Sequence, residues 1–375
     1  MNKYISITVF VIATLGCSER NSSYAANCNE SAAKDTLFKW ESYFQSSAIG
    51  LWEDSAEYDL SITRVHAFGG EDDLTPIFYK PGFVHVMGDT LLITDEATQS
   101  LVCMDTTGTL LWKFGESGEG PGYFAGIGQI DVIGDTIAVI NNGLSAVELL
   151  TRSGQLLDRI SIERPQDISF IDSNRLLIYS KAAPGGDLHL FDLSADSVIY
   201  SFADGEWEEW PNSGSYYEIW GVYLHPDTIA YISQFEKKML FADLSNRTSY
   251  WTEIRDLPME ITPTQTVFDE EANMYFTTNY PIYRSMFIGP HGQINILFAH
   301  LMYNGEMFQP GNTENTAPVS MVDRFSSTGE YLDSYCLPDS SLNVVFYNGD
   351  GYLAAIESHT GIVYGYRVDI AQSLQ

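Results

Sequence analysis

Two stretches of this chain, residues 85–113 and 131–159, carry the same pattern 46 positions apart, without a gap. Residues 85–90 read HVMGDT and residues 131–136 read DVIGDT, and further on TGTLL at 107–111 aligns with SGQLL at 153–157. A period in this range is typical of repeat architectures, in which each unit buries its apolar face against the next one. We therefore expect a ring or stack of similar units.

Each copy divides into four short apolar runs separated by turn residues, at the spacing that indicates an all-β fold. Weaker copies follow at 167–202 and 218–254 and from 264 onward, and a sixth unit at 342–368 contains only three strands. Leu60–Phe68 supplies the missing strand, and this pairing would leave few exposed sheet edges. The sequence therefore predicts a six-bladed β-propeller over residues 59–370, with four-stranded blades and a ring closed by an N-terminal strand; seven blades are the alternative.

The fifth unit is irregular, because two segments compete to form its outer hairpin. One is Ser285–Phe298, which turns at residues 289–292, and the other is Ser320–Tyr335, which turns at residues 326–329. We favour the second, which makes residues 280–317 a long insertion.

The N-terminus has the pattern of an export signal. Residues 1–16 combine a short basic start with an apolar run that is too short to span a bilayer. The sequence TLGC at 14–17 resembles a bacterial lipobox, which implies cleavage before Cys17, lipidation of that cysteine, and a tether with a short helix over 17–58. Cleavage after Ala25 and soluble secretion form the alternative. In both cases we predict an extracytoplasmic protein of the bacterial cell envelope, either anchored by lipid at the outer membrane or in the periplasm, or secreted.

The chain is strongly acidic, with 19 basic and 50 acidic residues and a net charge of −31. Nucleic acid is excluded as a partner because phosphate binding needs basic patches. Attraction to anionic lipid is disfavoured, so contact with a membrane is predicted only through the lipid. The charge favours solubility, with binding of a divalent cation such as Ca²⁺ as the alternative. No other cofactor is predicted, and we expect a monomer.

Three cysteines remain if Cys17 carries lipid: Cys28, Cys103 and Cys336. An odd number cannot all pair within one chain. Cys103 and Cys336 fall in apolar strand positions, which favours buried free thiols. A disulfide from Cys28 to one of them stays open as an alternative.

A glycine-rich segment follows the first unit, with the sequence FGESGEGPGYF at residues 114–124. It resembles the inter-blade signature of NHL-repeat and TolB-like six-bladed propellers, and the whole pattern over residues 60–370 is similar to propeller lipoproteins of Bacteroidetes-like bacteria. The resemblance implies the fold and an envelope location, and it implies that the aromatic residue after the Gly-Pro-Gly run fills the space between neighbouring sheets. It implies no activity, since many proteins of that group have none known.

The innermost strands of a propeller line a central channel, and the alignment puts His85 and Asp131 at the same position of successive inner strands. The approximate counterparts in later blades are Ser169, Tyr223 and Thr266. A histidine and an aspartate near one channel mouth could ligate a metal or act as an acid and base pair. This arrangement is the basis of our alternative function, a metal-assisted hydrolase or lyase. We favour the simpler interpretation that both are ordinary polar channel residues that hold water.

Aromatic and acidic residues are concentrated at positions 204–220, on the face where ligands of propellers usually bind. The candidate ligand-binding residues there are Trp207, Glu208, Trp210, Tyr216, Tyr217 and Trp220. Flat rings beside carboxylates suit sugars and cationic peptides, although the same rings could instead pack between the third and fourth blades. Since no complete catalytic set is present, we predict a non-catalytic binding or scaffold propeller for a glycan, a peptide or an envelope protein.

Overall fold

The computed structural model of this chain describes residues 60–70, 77–180, 182–202, 219–224, 227–233, 238–253, 266–269, 274–277, 283–300, 302–303, 306–307, 319–339, 342–357 and 360–370. The predicted signal peptide, Cys17 and the tether to residue 58 lie outside these ranges, so they stay predictions. Within the described residues, no helix has the length and hydrophobicity needed to cross a membrane.

The described residues form six four-stranded antiparallel sheets and two separate two-stranded hairpins. The strands are β1 (Leu60–Gly69), β2 (Pro81–Met87), β3 (Thr90–Asp95), β4 (Ser100–Asp105), β5 (Leu110–Phe114), β6 (Ile127–Ile133), β7 (Thr136–Asn141), β8 (Ala146–Thr151), β9 (Leu156–Ser161), β10 (Asp167–Asp172), β11 (Arg175–Tyr179), β12 (Leu188–Asp192), β13 (Ser197–Phe202), β14 (Ile219–Leu224), β15 (Thr228–Ser233), β16 (Lys238–Asp243), β17 (Thr248–Glu253), β18 (Thr266–Asp269), β19 (Met274–Thr277), β20 (Tyr283–Ile288), β21 (Ile294–His300), β22 (Met302–Tyr303), β23 (Glu306–Met307), β24 (Val319–Phe325), β25 (Tyr331–Cys336), β26 (Val344–Tyr347), β27 (Tyr352–Glu357) and β28 (Ile362–Ile370).

These sheets are the blades of a closed ring. Blades 1 to 4 are β2–β5, β6–β9, β10–β13 and β14–β17; blade 5 is β20, β21, β24 and β25; and blade 6 is β26–β28 together with β1. The first strands of blades 1 to 5, β2, β6, β10, β14 and β20, contact one another in turn, β20 contacts β26 of blade 6, and β26 contacts β2. The prediction of an all-β, six-bladed propeller with four-stranded blades is confirmed.

The turn after the third strand is stabilised in the same way in several blades, including blade 5, where the sequence repeat is no longer recognisable. In blade 1 the Asp105 carboxylate accepts hydrogen bonds from the N–H groups of Thr107 and Thr109. In blade 2 the Thr151 hydroxyl accepts the Gln155 N–H, and in blade 5 the Ser326 hydroxyl accepts the Glu330 N–H. A side-chain oxygen at the first turn position therefore satisfies backbone donors that the sheet leaves unpaired.

The glycine-rich segment after blade 1 delivers one aromatic ring to the space between two sheets. Phe124 is fully buried in the apolar cluster shared by blades 1 and 2, where its ring meets Phe114 edge-on with the centroids 6.0 Å apart. Gly115 has a φ of +86°, and a Cβ there would lie 2.5 Å from the Phe124 ring. Glycine is required because no other residue combines this backbone with so close an approach.

Blade 5 has the predicted outer hairpin, which is β24 and β25, but its inner strands differ from the prediction, and the proposed insertion 280–317 is wrong in its bounds. Residues 283–300 form β20 and β21, the inner strands of blade 5, and β21 pairs directly with β24. Residues 266–269 and 274–277, which were expected to start the blade, pair with each other as β18 and β19 in a separate two-stranded sheet. The reason is burial: Met286, Phe287 and Leu297 are buried in β20 and β21, as inner strands between two neighbouring sheets require.

The apolar core is divided among the blade interfaces rather than collected at the centre. Separate buried clusters join blades 1 and 2, 2 and 3, 3 and 4, 5 and 6, and 6 and 1. Cys103 lies in the first of these as a buried free thiol, as predicted, and burial raises its pKa to about 11. The side chains of Cys28 and Cys336 lie outside the described part of the structure.

The ring closes through β1, which pairs antiparallel with β28 from Leu60 opposite Ile370 to Gly69 opposite Ile362. Asp339, in the connection from blade 5 to blade 6, reinforces this pairing. Its carboxylate accepts hydrogen bonds from Arg64 of β1 at 2.6 Å and from the buried Tyr366 hydroxyl of β28 at 2.9 Å. One carboxylate thus holds the first and last described strands together.

Candidate functional site

The inner strands enclose a central cavity of about 300 Å³. Its lining contains apolar residues, among them Phe83, Phe170, Phe287 and Phe346, together with the polar residues Gln129, Asp131, Ser169 and Ser285. Asp131 is the one charged residue among the described residues that line it. Concave, mostly apolar sites with a few polar groups are the usual form of a small-ligand pocket.

Asp131, which lines this cavity, lies beside His85, as their equivalent positions on β6 and β2 predicted. Nδ1 of His85 lies 4.0 Å from Oδ1 of Asp131, and the imidazole ring packs on Phe346 with the centroids 4.0 Å apart. Burial lowers the pKa of His85 to about 3, so the imidazole is neutral at physiological pH. The pair is therefore a contact between a neutral ring and a carboxylate and not an ion pair.

The polar side chains of the channel also join neighbouring blades. Asp131 Oδ2 accepts the N–H of Phe170 at 2.6 Å, and Gln129 Oε1 accepts the N–H of Ile168 at 3.1 Å, which ties β6 to β10. On the opposite side, the Ser285 hydroxyl donates to the carbonyl of Val345 and accepts its N–H. These bonds satisfy backbone groups of the inner strands, which have no sheet partner on the channel side.

Asp131 lies deep in the molecule but keeps a quarter of its side-chain surface exposed, and Asp131 belongs to the cavity lining. Loss of solvation raises its pKa to about 6, against the opposing hydrogen bond from Phe170. The carboxylate is consequently the main source of negative charge inside the channel above that pH.

Asp167, at the start of β10, is a functional candidate that the sequence did not reveal. It is fully buried, and burial raises its pKa well above the usual range, with a further rise from the charge of Asp131. Neither of its carboxylate oxygens accepts a hydrogen bond of good geometry from the described residues, although the Gln129 amide and two backbone N–H groups lie close enough to lower the pKa. An acid at a strand start, directly before the apolar residue Ile168, was the only available signal.

Gly221 on β14 makes room for this buried carboxyl group. A Cβ at position 221 would lie 2.5 Å from Asp167 Oδ2 and 2.4 Å from a ring carbon of Tyr231. Burial and the neighbouring Asp167 raise the pKa of Tyr231, whose hydroxyl has no hydrogen-bond partner among the described residues. Asp167, Gly221 and Tyr231 therefore form a tight polar contact between blades 3 and 4.

Of the residues that the sequence aligned with His85 in the later blades, Ser169 is found at the cavity, whereas Thr266 lies elsewhere and the Tyr223 side chain is not described. Ser169 on β10 lines the cavity, and in blade 5 Ser285 on β20 also lines it. Thr266, the expected counterpart, lies in the separate hairpin of β18 and β19, because blade 5 starts later in the chain. Tyr223 lies on β14, but its side chain is outside the described part of the structure.

Most of the aromatic and acidic candidates fall in the connection from β13 to β14. Trp207, Glu208, Trp210, Tyr216 and Tyr217 lie outside the described residues. Trp220 belongs to β14 and pairs with Ile232 in the sheet, without a described side chain. The ligand-binding role of all six residues stays a prediction.

The alternative of a metal-assisted enzyme gains no further ligand from the geometry. Among the described residues, no group of three or more histidine, cysteine, aspartate or glutamate side chains is arranged to hold a metal ion. His85 and Asp131 supply two candidate ligands, and a structural metal site usually needs four. Binding of Ca²⁺ or another divalent cation stays a prediction that these residues do not support.

Fold and cavity together define a six-bladed β-propeller. No protein-family model and no curated protein matches the sequence. The structure is similar to that of a member of the DUF4221 family from Bacteroides vulgatus, with a TM-score of 0.52 and 12% identity over 83% of this chain and 99% of that chain. It is also similar to a protein of unknown function from Bacteroides thetaiotaomicron, with a TM-score of 0.54 and 11% identity over 82% of this chain and 76% of that chain.

These similarities confirm the predicted resemblance to propellers of Bacteroides-like bacteria. At such low sequence identity the likeness concerns the fold alone. The NHL-like affiliation and the lipid anchor accordingly stay predictions.

Proposed function

We propose that this chain is an extracytoplasmic binding or scaffold propeller that presents an aromatic, acidic face to a glycan, a peptide or an envelope protein. The similar protein from Bacteroides thetaiotaomicron is itself of unknown function, so the proposal rests on this chain's own features. A ring of rigid sheets offers fixed strand ends from which longer segments can reach a ligand.

The observation that carries the proposal is the length and composition of one inter-blade connection. β13 ends at Phe202 and β14 begins at Ile219, so residues 203–218 join these two strands. The connections from blade 1 to 2, from 2 to 3 and from 5 to 6, at 115–126, 162–166 and 337–343, are all shorter. A longer segment between two fixed strands, rich in tryptophan and carboxylates, suits recognition better than packing alone would require.

Replacing both Trp207 and Trp210 with alanine is expected to weaken binding to the true ligand at least about 10-fold, because tryptophans are frequent anchors of binding energy. Binding is measured by biolayer interferometry of the purified mature chain against defined soluble oligosaccharides and cationic peptides. Tyr79→Ala, which removes an exposed aromatic ring outside this connection, is the control and should bind like the wild type. Equal binding by the double variant and the wild type would rule out this site.

The proposed location depends on the N-terminal sequence. Export and lipidation at Cys17 account for the basic start, the short apolar run and the sequence TLGC at 14–17. We expect the wild-type chain in the membrane fraction of its host and Cys17→Ser in the soluble fraction, with radiolabelled palmitate incorporated only by the wild type. Cys28→Ser serves as the control. Recovery of Cys17→Ser in the membrane fraction would contradict lipid anchoring.

A further inference from the structure

A serine and a histidine form a close pair on the two outer strands of blade 3. His189 on β12 and Ser201 on β13 lie directly opposite each other in the sheet, so their side chains project from the same face. Nδ1 of His189 lies 2.8 Å from the hydroxyl oxygen of Ser201, which is hydrogen-bonding distance. A hydroxyl and a base in such contact, with the base oriented by a third group, are the usual signature of an activated nucleophile.

The third group is a backbone carbonyl, and it determines which ring nitrogen of His189 carries the proton. Nε2 of His189 lies 3.1 Å from the carbonyl oxygen of Ser180, and a carbonyl oxygen can only accept a hydrogen bond. Nε2 therefore carries the hydrogen, and Nδ1 offers its lone pair to the Ser201 hydroxyl. In this arrangement Ser201 donates to His189, which is the direction that draws the proton away from the serine oxygen.

His189 is in the form that can accept a proton. The residue is only 1% exposed, and burial lowers its pKa against the opposing hydrogen bond with Ser180, so the ring is neutral at physiological pH. When the ring takes up a proton, the hydrogen bond from Nε2 to the Ser180 carbonyl becomes charge-assisted and therefore stronger. The carbonyl thus offsets part of the cost of charging a buried imidazole.

The space beside the serine oxygen is open. Ser201 is half-buried, in contrast to the buried His189. The backbone of Gly185, with a φ of +99°, passes next to it, and a Cβ at position 185 would lie 3.6 Å from Ser201 Oγ. Apart from Ser201 and the chain neighbours of Gly185, no described residue lies within 4 Å of that Cβ position. The glycine therefore leaves room for a reacting group next to the hydroxyl.

We propose that Ser201 is a nucleophile that takes an acyl group from an ester, with His189 as its general base. The Ser201 oxygen forms a bond to the acyl carbon while its proton moves to Nδ1 of His189. The C–O bond of the ester then breaks, and His189 returns the proton to the departing alcohol oxygen. Water releases the acyl group as a carboxylic acid in the same way, with His189 taking the proton of the water and returning it to the Ser201 oxygen.

This activity goes beyond the proposed function and does not depend on it. Ser201 is followed by Phe202, the last residue of β13, and the connection with the proposed ligand-binding residues begins at residue 203. Small esters without a sugar or peptide part test the serine directly, so failure of ester reactivity and failure of tryptophan-dependent ligand binding are separate outcomes.

The test is covalent labelling of the purified mature chain with a fluorophosphonate. In this reaction the serine oxygen bonds to phosphorus, fluoride leaves, and the phosphonyl group stays on the protein. We expect a single phosphonyl group per chain, located at Ser201 by peptide mass spectrometry. Absence of labelling, or labelling only at other residues, would overturn the proposal. A second probe, 4-nitrophenyl acetate, should release more 4-nitrophenolate with the wild type than with Ser201→Ala, and equal release would also overturn it.

The matched variants are Ser201→Ala and Ser153→Ala. Each removes one serine hydroxyl, but Ser153 is exposed in the turn between β8 and β9 and pairs with the hydroxyl of Thr151 rather than with a histidine. We expect labelling to be lost in Ser201→Ala and unchanged in Ser153→Ala. Circular dichroism checks that both variants are folded. Equal labelling of Ser201→Ala and the wild type would contradict the assignment.

Replacing His189 with glutamine tests the base separately. The glutamine amide can still donate to the Ser180 carbonyl, but it cannot take up a proton at neutral pH. We expect labelling of Ser201 to slow at least about 100-fold, the lower end of what a general base contributes. A folded His189→Gln variant that is labelled as fast as the wild type would overturn the proposal. If this variant does not fold, the result with Ser201→Ala decides.

Discussion

Replacing Arg159 with methionine is expected to destabilise the protein by about 3–5 kcal/mol, the usual cost of leaving a buried charge without its partner. The Glu148 side chain of β8 is fully buried, and Arg159 of β9 contacts its Oε1 at 2.6 Å. Asn141 of β7 donates to the same oxygen, and Arg159 also donates to the carbonyl of Gly120 in the glycine-rich segment. The arginine therefore joins blade 2 to the connection that precedes it.

The measurement is chemical denaturation followed by intrinsic fluorescence. The control is the double variant Glu148→Gln and Arg159→Met, which removes the buried charge together with its partner. We expect the double variant to be clearly more stable than Arg159→Met alone, because no uncompensated carboxylate remains. A loss below about 1 kcal/mol for Arg159→Met would show that Glu148 is satisfied without the arginine.

Replacing Asp167 with asparagine is expected to make the free energy of unfolding depend less on pH, so that the protein loses less stability as the pH rises. Burial raises the pKa of Asp167 in the folded state above its ordinary value of 3.8, so the folded chain holds a proton that the unfolded chain releases. The stability from this proton is fully present below the unfolded pKa and is lost as the pH rises through the folded pKa. Relative to the variant, the wild type should lose up to about 1.4 kcal/mol per pH unit in this window.

The experiment compares the free energies of unfolding of Asp167→Asn and the wild type from pH 4 upward. At pH 4 the two proteins should be closest in stability, and at pH 8 the variant should be the more stable one. Asp89→Asn, in the exposed turn between β2 and β3, controls for the loss of one negative charge. A difference between Asp167→Asn and the wild type that stays constant with pH would show that Asp167 does not take up a proton on folding.

The blades with an intact repeat were predictable because their signals are local. Gly88 and Gly134, with φ values of +59° and +53°, mark the first turn of blades 1 and 2, and alternating apolar residues mark the strands on each side. The closing role of β1 was predictable because the last unit had one strand too few. The turns are predicted from residues within one repeat unit, and the closing strand is predicted from the number of strands in the last unit.

The outer hairpin of blade 5 was predicted correctly, but its inner strands were mispredicted because the pairing between the two hairpins is not local. Both candidate hairpins alternate as strands do, and only the contact between β21 and β24, across residues 301–318, places them in the same sheet. No turn motif marks such a long connection, so the sequence offered two solutions of similar quality. Burial of Phe287 and Leu297 between neighbouring blades determines the outcome, and this is a property of the assembled ring.

Only the part of the site that follows from the alignment of repeat units, His85 and Asp131, could be predicted from the sequence. β2 and β6 share an irregularity, between Pro81 and Val84 in one and between Ile127 and Ile130 in the other, so His85 and Asp131 arrive at equivalent positions. The role of Asp167 depends instead on Gly221, more than 50 residues later in the chain, which leaves space for the carboxyl group. A contact of this kind between blades has no signature in either segment alone.

The pairing of β1 with β28 determines when blade 6 can be completed during synthesis of the chain. Synthesis proceeds from the N-terminus, so β1 is the first of the described strands to emerge and its sheet partner β28 is the last. Every other blade takes its four strands from one region of the chain, whereas β1 of blade 6 has to wait for its partner at residues 362–370. In a chain that stops before residue 362, β28 would be absent and β1 would have no sheet partner, so blade 6 would consist of β26 and β27 alone, with the edge of β27 unpaired. Closure of the ring therefore requires synthesis of the chain through residue 370.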